Sequence, residues 1–237
     1  MTGTLFVVAT PIGNLQDITF RAVKILQTVD AIACEDTRKT GILLAQIAPT
    51  YEVGRSGPRR SRLISYYEQN ELQRIPEIVA ALKDGLSIAL VSDAGTPTIS
   101  DPGFKLVREC IAQGVKIESI PGPSSVISAL VSSGLPTDKF TFVGYPPKKP
   151  GHRKKLFEDL KNLSLKTTII LFEGPHHLIR TLEGMREVFG NIDIVICREL
   201  TKIYEEIRRE KLEESILHFS KTTPKGEFVV LFNFAPR

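Results

Sequence analysis

Four segments of this 237-residue chain combine glycine or proline with small hydroxyls or a carboxylate, and each closes or follows a short apolar run. ATPIGNLQDIT ends the run at 4–9, SDAGTPTISDPG follows 87–91, PGPSS follows 116–120, and FEGPHH ends 167–172. In open α/β sheets, ligands bind beyond the carboxyl ends of the strands. One such loop alone is as readily a tight turn as a site. Four at equivalent ends point to a ligand.

The residue inventory narrows that ligand. Neither GxxxxGK[ST] nor GxGxxG occurs, and SDAGTP and PGPSS hold no Lys or Arg, so phosphate is poorly served there. Gly95 permits close backbone approach, and Ser124 opens a helix whose free N–H groups favour an anion or a polar edge. S-adenosylmethionine fits: backbone groups can hold its adenine and carboxylate, and its sulfonium methyl needs no protein charge.

Strand-like and helix-like patterns alternate to position these loops. Strands are expected at 4–9, 31–34, 87–91, 116–120, 140–143, 167–172, 192–197, 204–211 and 227–234. Helices are expected at 20–28, 40–47, 72–83, 103–112, 124–132, 152–163, 177–189 and 212–219. Ser100 or Asp101 is the expected N-cap of the helix at 103–112, with Pro102 in its first turn. The first half reads as βαβα with apolar strands, hence a mostly parallel sheet covered on both faces. Adjacent strands in the second half predict a mixed sheet. The boundary falls near Pro121-Gly122-Pro123, giving domains 1–121 and 122–237.

Taken in order, TPIGNLQDIT, CEDTRKT, SDAGTPTISDPG, IPGPSS and FEGPHH resemble the tetrapyrrole-methylase superfamily of S-adenosylmethionine-dependent methyltransferases. In these forms they look like the ribosomal RNA small-subunit methyltransferase I family, from Leu5 to about Lys202. The resemblance implies two α/β domains with the cofactor in the cleft between them, and a homodimer. It implies methylation of a cytidine ribose 2′-oxygen in the decoding region of small-subunit (16S) rRNA. It also implies cofactor contacts from Pro11, Asp93, Ala94, Gly95, Thr96 and Ile99, from Ser124 and Ser125 at the junction, and from Phe172 and Leu200. The chain departs from the superfamily pattern at Thr96, where tetrapyrrole enzymes usually carry an acidic residue.

The formal charge of +4 is modest, but its placement is uneven. GRSGPRRSR supplies Arg55, Arg59, Arg60 and Arg62 in a setting that reads as a flexible loop. YPPKKPGHRKK supplies Lys148, Lys149, Arg153, Lys154 and Lys155, running from a Pro-rich turn into a helix. Solvated faces are the plain alternative. RNA phosphates are the sharper reading, since phosphate contacts supply most non-specific RNA affinity. The expected partner is rRNA or the assembled small subunit. Tyr66, Tyr67 and Tyr145 lie nearby as base-stacking candidates, with packing the commoner role.

Transfer of a methyl group to a ribose hydroxyl needs alignment in a dry cleft and a base or cation for the acceptor oxygen. Asp36 and Arg38 offer a carboxylate and a cation, Glu173 and His176 two bases, and Glu199 and Lys202 a carboxylate and an amine that burial would make less basic. Glu173 and Lys202 are the first choices, and structural ion pairs are the alternative for each. A superfamily methylase acting on a tetrapyrrole or a protein side chain is a competing function, disfavoured by the basic clusters. A non-catalytic ribosome-assembly factor is another, disfavoured by the intact cofactor loops.

Cys34, Cys110 and Cys197 are far apart among apolar neighbours and read as buried free thiols, and the four histidines form no ligand pattern, so no metal is expected. The N-terminus reads as a first strand rather than a signal peptide, and no apolar run reaches membrane-spanning length. The expectation is a soluble, cytoplasmic protein.

Overall fold

The structure is a computed structural model that describes residues 2–48 and 61–234. Arg55, Arg59 and Arg60 lie outside the described residues. The chain divides into two compact units, Met1–Ser124 and Ser125–Arg237.

Unit 1 is a five-stranded sheet built from β1 (Thr4–Val8), β2 (Ala31–Cys34), β3 (Arg62–Ser65), β4 (Ile88–Val91) and β5 (Lys116–Ile120). The order is β3-β2-β4-β1-β5, and every pairing is parallel. Its helices are α1 (Phe20–Thr28), α2 (Thr37–Ile47), α3 (Glu71–Lys83) and α4 (Phe104–Ala112). β2 and β4 are buried throughout, and the period of two sends alternate residues into separate cores. Ala31, Ala33, Ile88 and Leu90 pack with Ile78 and Leu82 of α3 and with Leu106 of α4. Ile32, Cys34, Ala89 and Val91 pack instead with Val23 and Leu26 of α1 and with Ile47 of α2. Helices therefore cover both faces, as the continuous apolar strands require.

Unit 2 carries the mixed sheet. Its strands are β6 (Phe140–Phe142), β7 (Thr168–Glu173), β8 (Asp193–Arg198), β9 (Glu206–Lys211) and β10 (Phe228–Asn233), in the order β6-β7-β10-β8-β9. Only β6 and β7 run parallel, and the other pairings are antiparallel. Its helices are α5 (Ser125–Ser133), α6 (Pro150–Lys161), α7 (Leu178–Phe189) and α8 (Leu212–Lys221). Phe157 of α6, Leu182 and Met185 of α7 and Phe219 of α8 close one core over Ile169, Ile196 and Val230. On the edge strand β9, Arg208 bonds Glu206 and Glu210, and this charged ladder discourages further pairing.

Several local expectations need correction. β3 was not expected, and it places Arg62 at the head of a strand, ion-paired with Glu77 at 3.3 Å, instead of in a flexible loop. α2 begins at Thr37, three residues early, because Asp36 accepts from the Arg38 N–H and caps it. β9 begins at Glu206, leaving Tyr204 exposed. Neither Ser100 nor Asp101 caps α4; Gly103, at φ +132°, holds the N-cap position. A residue there must adopt a backbone conformation that side chains resist.

Candidate functional site

In unit 1 the loops after β1, β2, β4 and β5 lie at one edge of a parallel sheet, and hydrogen bonds tie them together. Thr10 and Gly95 form an antiparallel bridge, with N–H to O distances of 2.9 and 3.0 Å. The buried Thr10 hydroxyl reaches toward the Ser92 carbonyl at 3.4 Å. Thr96 donates its hydroxyl to the Pro123 carbonyl at 3.0 Å, linking the β4 and β5 loops. That bond gives Thr96 a bracing role. Gly95 is buried at φ +79°, and a Cβ there would meet Ile12 at 3.2 Å, so the loop's closeness depends on glycine. Ala94 and Ile99 are exposed on this loop, and Pro11 is half-buried.

Asp93 ties this loop to the start of α2. One carboxylate oxygen accepts from the Asp36 N–H at 3.1 Å and the other from the Lys39 ammonium at 2.6 Å. Lys39 thus brings a cation to a loop that has none in sequence. Asp36 is committed twice over, as helix cap and as partner of Arg38 at 2.7 Å, and the Arg38 guanidinium holds its carboxyl far below the usual range. Glu35, its neighbour, behaves oppositely. It is half-buried at the end of β2, and burial, then the Asp93 charge, raises its carboxyl against the pull of Lys39 and the Asp93 N–H.

In unit 2 the loop after β8 is locked to the turn before β10. Glu199 accepts at one oxygen from Lys202 and from the Glu227 N–H, both at 2.9 Å. Arg198 donates to the Lys225 carbonyl at 2.7 Å. Gly226, at φ +90°, leaves room: a Cβ there would come within 2.5 Å of the Glu199 side chain. Burial on its own would lower the Lys202 ammonium, but its bonds to Glu227 and Glu199 outweigh this and raise it. The expectation of a weakly basic amine is therefore overturned, and Lys202 is a fixed cation. Leu200 beside it is buried.

Glu173 is buried at the end of β7. Its oxygens accept from the Gly174 N–H at 2.8 Å and the Thr181 hydroxyl at 2.5 Å, which commits it to bracing the turn into α7. His176 is exposed in that turn. Phe172 packs edge-on against Phe142 and Tyr145, at 4.8 and 5.6 Å between ring centroids. Tyr66 is buried and donates to Glu71, so it packs rather than stacks on a base. Ser124 and Ser125 are half-buried at the start of α5. All three cysteines are buried and free, and burial pushes Cys110 and Cys197 up to about 11, which leaves them inert thiols.

Among the described residues, four non-glycine residues have positive φ: Thr98, Ser100, Glu199 and Thr201. All four lie in the loops after β4 and β8. Such conformations cost about 1–3 kcal/mol each and gather at functional loops.

Residues 4–215 match the model of the family described as Tetrapyrrole (Corrin/Porphyrin) Methylases. Over 231 residues the chain is 43% identical to the Ribosomal RNA small subunit methyltransferase I of Thermotoga maritima, covering 98% of each. The chain belongs to the ribosomal RNA small-subunit methyltransferase I family of tetrapyrrole methylases. A relative of the same name in Halalkalibacterium halodurans is 44% identical over 229 residues, 97% of this chain and 75% of the relative. Among solved structures, uroporphyrin-III-C-methyltransferase from Thermus thermophilus shares the fold, with a TM-score of 0.63 at 19% identity over 97% of this chain and 94% of that one.

Two features of this family member escaped the sequence reading. Glu35 and Lys39 sit inside the CEDTRKT motif beside Asp36 and Arg38, and only their surroundings in the fold set them apart. Lys39 pairs with Asp93, 54 residues away, so no local spacing marks it. The Glu199–Glu227 pairing spans 28 residues and left no local signal. No helix among the described residues is long and apolar enough to cross a membrane, and no group of three or more metal-ligating side chains occurs among them.

Proposed function

We propose that this chain is an S-adenosylmethionine-dependent methyltransferase that methylates the ribose 2′-oxygen of a cytidine in the decoding region of small-subunit rRNA. The observation that carries the reading is the near-full-length likeness to relatives named for small-subunit rRNA methylation. The loop chemistry agrees with the donor. Asp93 is neutralised by Lys39 and an N–H, Thr96 is tied to a carbonyl, and Gly95 is left without a side chain. The β4 loop thus offers a braced backbone and no free charge, which suits a nucleoside and does not suit phosphate. Bound there, S-adenosylmethionine supplies a methyl group made electrophilic by its sulfonium.

In this reading Pro11, Asp93–Thr96, Ile99, Ser124 and Ser125, with Phe172 and Leu200, form the donor site. Asp93 serves by positioning the loop. Glu35 is the favoured proton acceptor: it directly follows β2 at the loop edge, half-buried, and its carboxyl holds a proton more readily than Asp36. Lys202, held charged, stabilises negative charge on the acceptor oxygen. Lys148, Lys149, Lys155 and the arginines at 55, 59 and 60 meet RNA phosphates. A cytoplasmic homodimer acting on rRNA or an assembled small subunit completes the proposal.

The test uses unmodified small ribosomal subunits and S-adenosylmethionine carrying a labelled methyl group. Label recovered in an alkali-resistant dinucleotide is expected, because a 2′-O-methyl group blocks cleavage at its own phosphodiester. Labelled RNA fully cleaved by alkali would move the chemistry to a base. Tight donor binding with no label in RNA would overturn the substrate.

A further inference from the structure

A cavity of about 500 Å³ in unit 2 opens between α6 and α7. It is lined by Arg153, Lys154, Arg180 and Arg186 against Glu183 and Glu187. Lys154 is bonded to Glu187 at 2.5 Å, so those two charges largely cancel. Arg180 and Arg186 are exposed, and among the described residues neither makes an ion pair.

Arg153 is the unusual member. It is only 8% exposed, yet among the described residues no carboxylate lies within ion-pair distance of it. Buried charges are ordinarily paired, because desolvating an ion alone is costly. One guanidinium nitrogen, Nη1, donates to the Pro147 and Lys148 carbonyls at 3.4 and 3.1 Å. The other two have no partner among the described residues. No fully buried side-chain nitrogen or oxygen there lacks a hydrogen bond, so those two retain open surface. Gly184 keeps space on the α7 side, where a Cβ would stand 3.4 Å from Arg153 Nε. The cavity thus has a largely buried cation in its wall with donors to spare, and two arginines without an ion pair among the described residues at its mouth.

We infer that this cavity binds a phosphodiester group of the RNA substrate, with Arg153 in its wall and Arg180 and Arg186 at its rim. The inference rests on the RNA reading proposed above. The bidentate guanidinium fork matches phosphate oxygens better than it matches a halide or a neutral sugar. Placement agrees. α6 and α7 follow the parallel strands β6 and β7, so both helices start at the sheet end that carries Glu173 and Phe172. Arg180 lies in the first turn of α7, and Arg186 follows about 9 Å further along its axis. The two arginines therefore lead away from the loop edge, as a backbone entering the site would run.

The experiment measures binding of an unmodified single-stranded fragment of small-subunit rRNA to the full chain over a salt series, for wild type and for R180Q/R186Q. The double variant is expected to bind at least tenfold more weakly. Its slope of log affinity against log salt should flatten by about 0.7, the loss of one phosphate contact. Donor affinity and melting temperature should stay at wild-type values. Unchanged RNA affinity and slope in the variant, with wild type binding RNA, would overturn this site alone. A wild type that binds donor but no RNA would overturn the functional reading as well. Inorganic phosphate is titrated separately at constant ionic strength. Phosphate bound more tightly than the RNA fragment, and lost in the variant, would make this a small-anion site and overturn the RNA assignment.

Discussion

Glu35 and Asp36 are adjacent carboxylates pushed in opposite directions. Asp36 is held ionised by Arg38 and by capping α2, while burial and Asp93 make Glu35 harder to ionise. Divergent neighbours of this kind mark acid–base assignments. Glu35→Gln is expected to lower kcat/KM for rRNA about 100-fold, within the usual range for a lost general base, and to abolish the acidic limb of the pH–rate profile. Its effect on stability has the opposite sign. With the folded-state value raised above the ordinary 4.5, the folded protein holds the extra proton between the two, so stability falls as pH rises through that window. The glutamine variant should melt above wild type at neutral pH, and the gap should close below pH 4.5. A variant with an unaltered acidic limb would sink the role of Glu35. At this scale the sequence exposed motifs but not partners. Asp93 was legible in SDAGTP, whereas Lys39, 54 residues away, meets it only through the sheet order.

Among the elements, strands with continuous apolar runs were legible, because burial on both faces leaves no polar position. β3 was not, since Arg62–Ser65 offers only Leu63 and Ile64 and lies on the sheet edge. The loops were legible as sites but not in their mechanics. Gly226 carries no motif, yet it decides whether the turn before β10 can receive Glu199. Gly226→Ala should force that side chain off Lys202 and the Glu227 N–H. The strain and lost bonds should cost about 1–3 kcal/mol. That corresponds to roughly 2–12 °C of melting temperature, read by calorimetry. Donor binding should weaken in parallel, because Leu200 rides on the same loop. Melting and donor affinity both at wild-type values would mean that Glu199 does not hold this loop.

For the whole molecule, the alternation of strands and helices foretold a parallel sheet followed by a mixed one. The orders β3-β2-β4-β1-β5 and β6-β7-β10-β8-β9 had no local signature. Charge is the other property of this scale. A net +4 is too small to hold RNA by itself, so affinity must come from where the cations stand. The structure sorts them. Lys154 is bonded to Glu187 and Arg62 to Glu77, while among the described residues Lys148, Lys149 and Lys155 are exposed and make no ion pair. Neutralising Lys155 should therefore flatten the salt dependence of rRNA binding by about 0.7, and neutralising Lys154 by clearly less, since removing it also frees a carboxylate. Arg59→Ala with Arg60→Ala should flatten it by about 1.4. Donor binding should show no such slope in any variant, because its site presents no free charge. Equal effects from Lys154 and Lys155 would mean that the Glu187 pair opens when RNA binds. Slopes unchanged in every variant would place the RNA path on another surface of the protein.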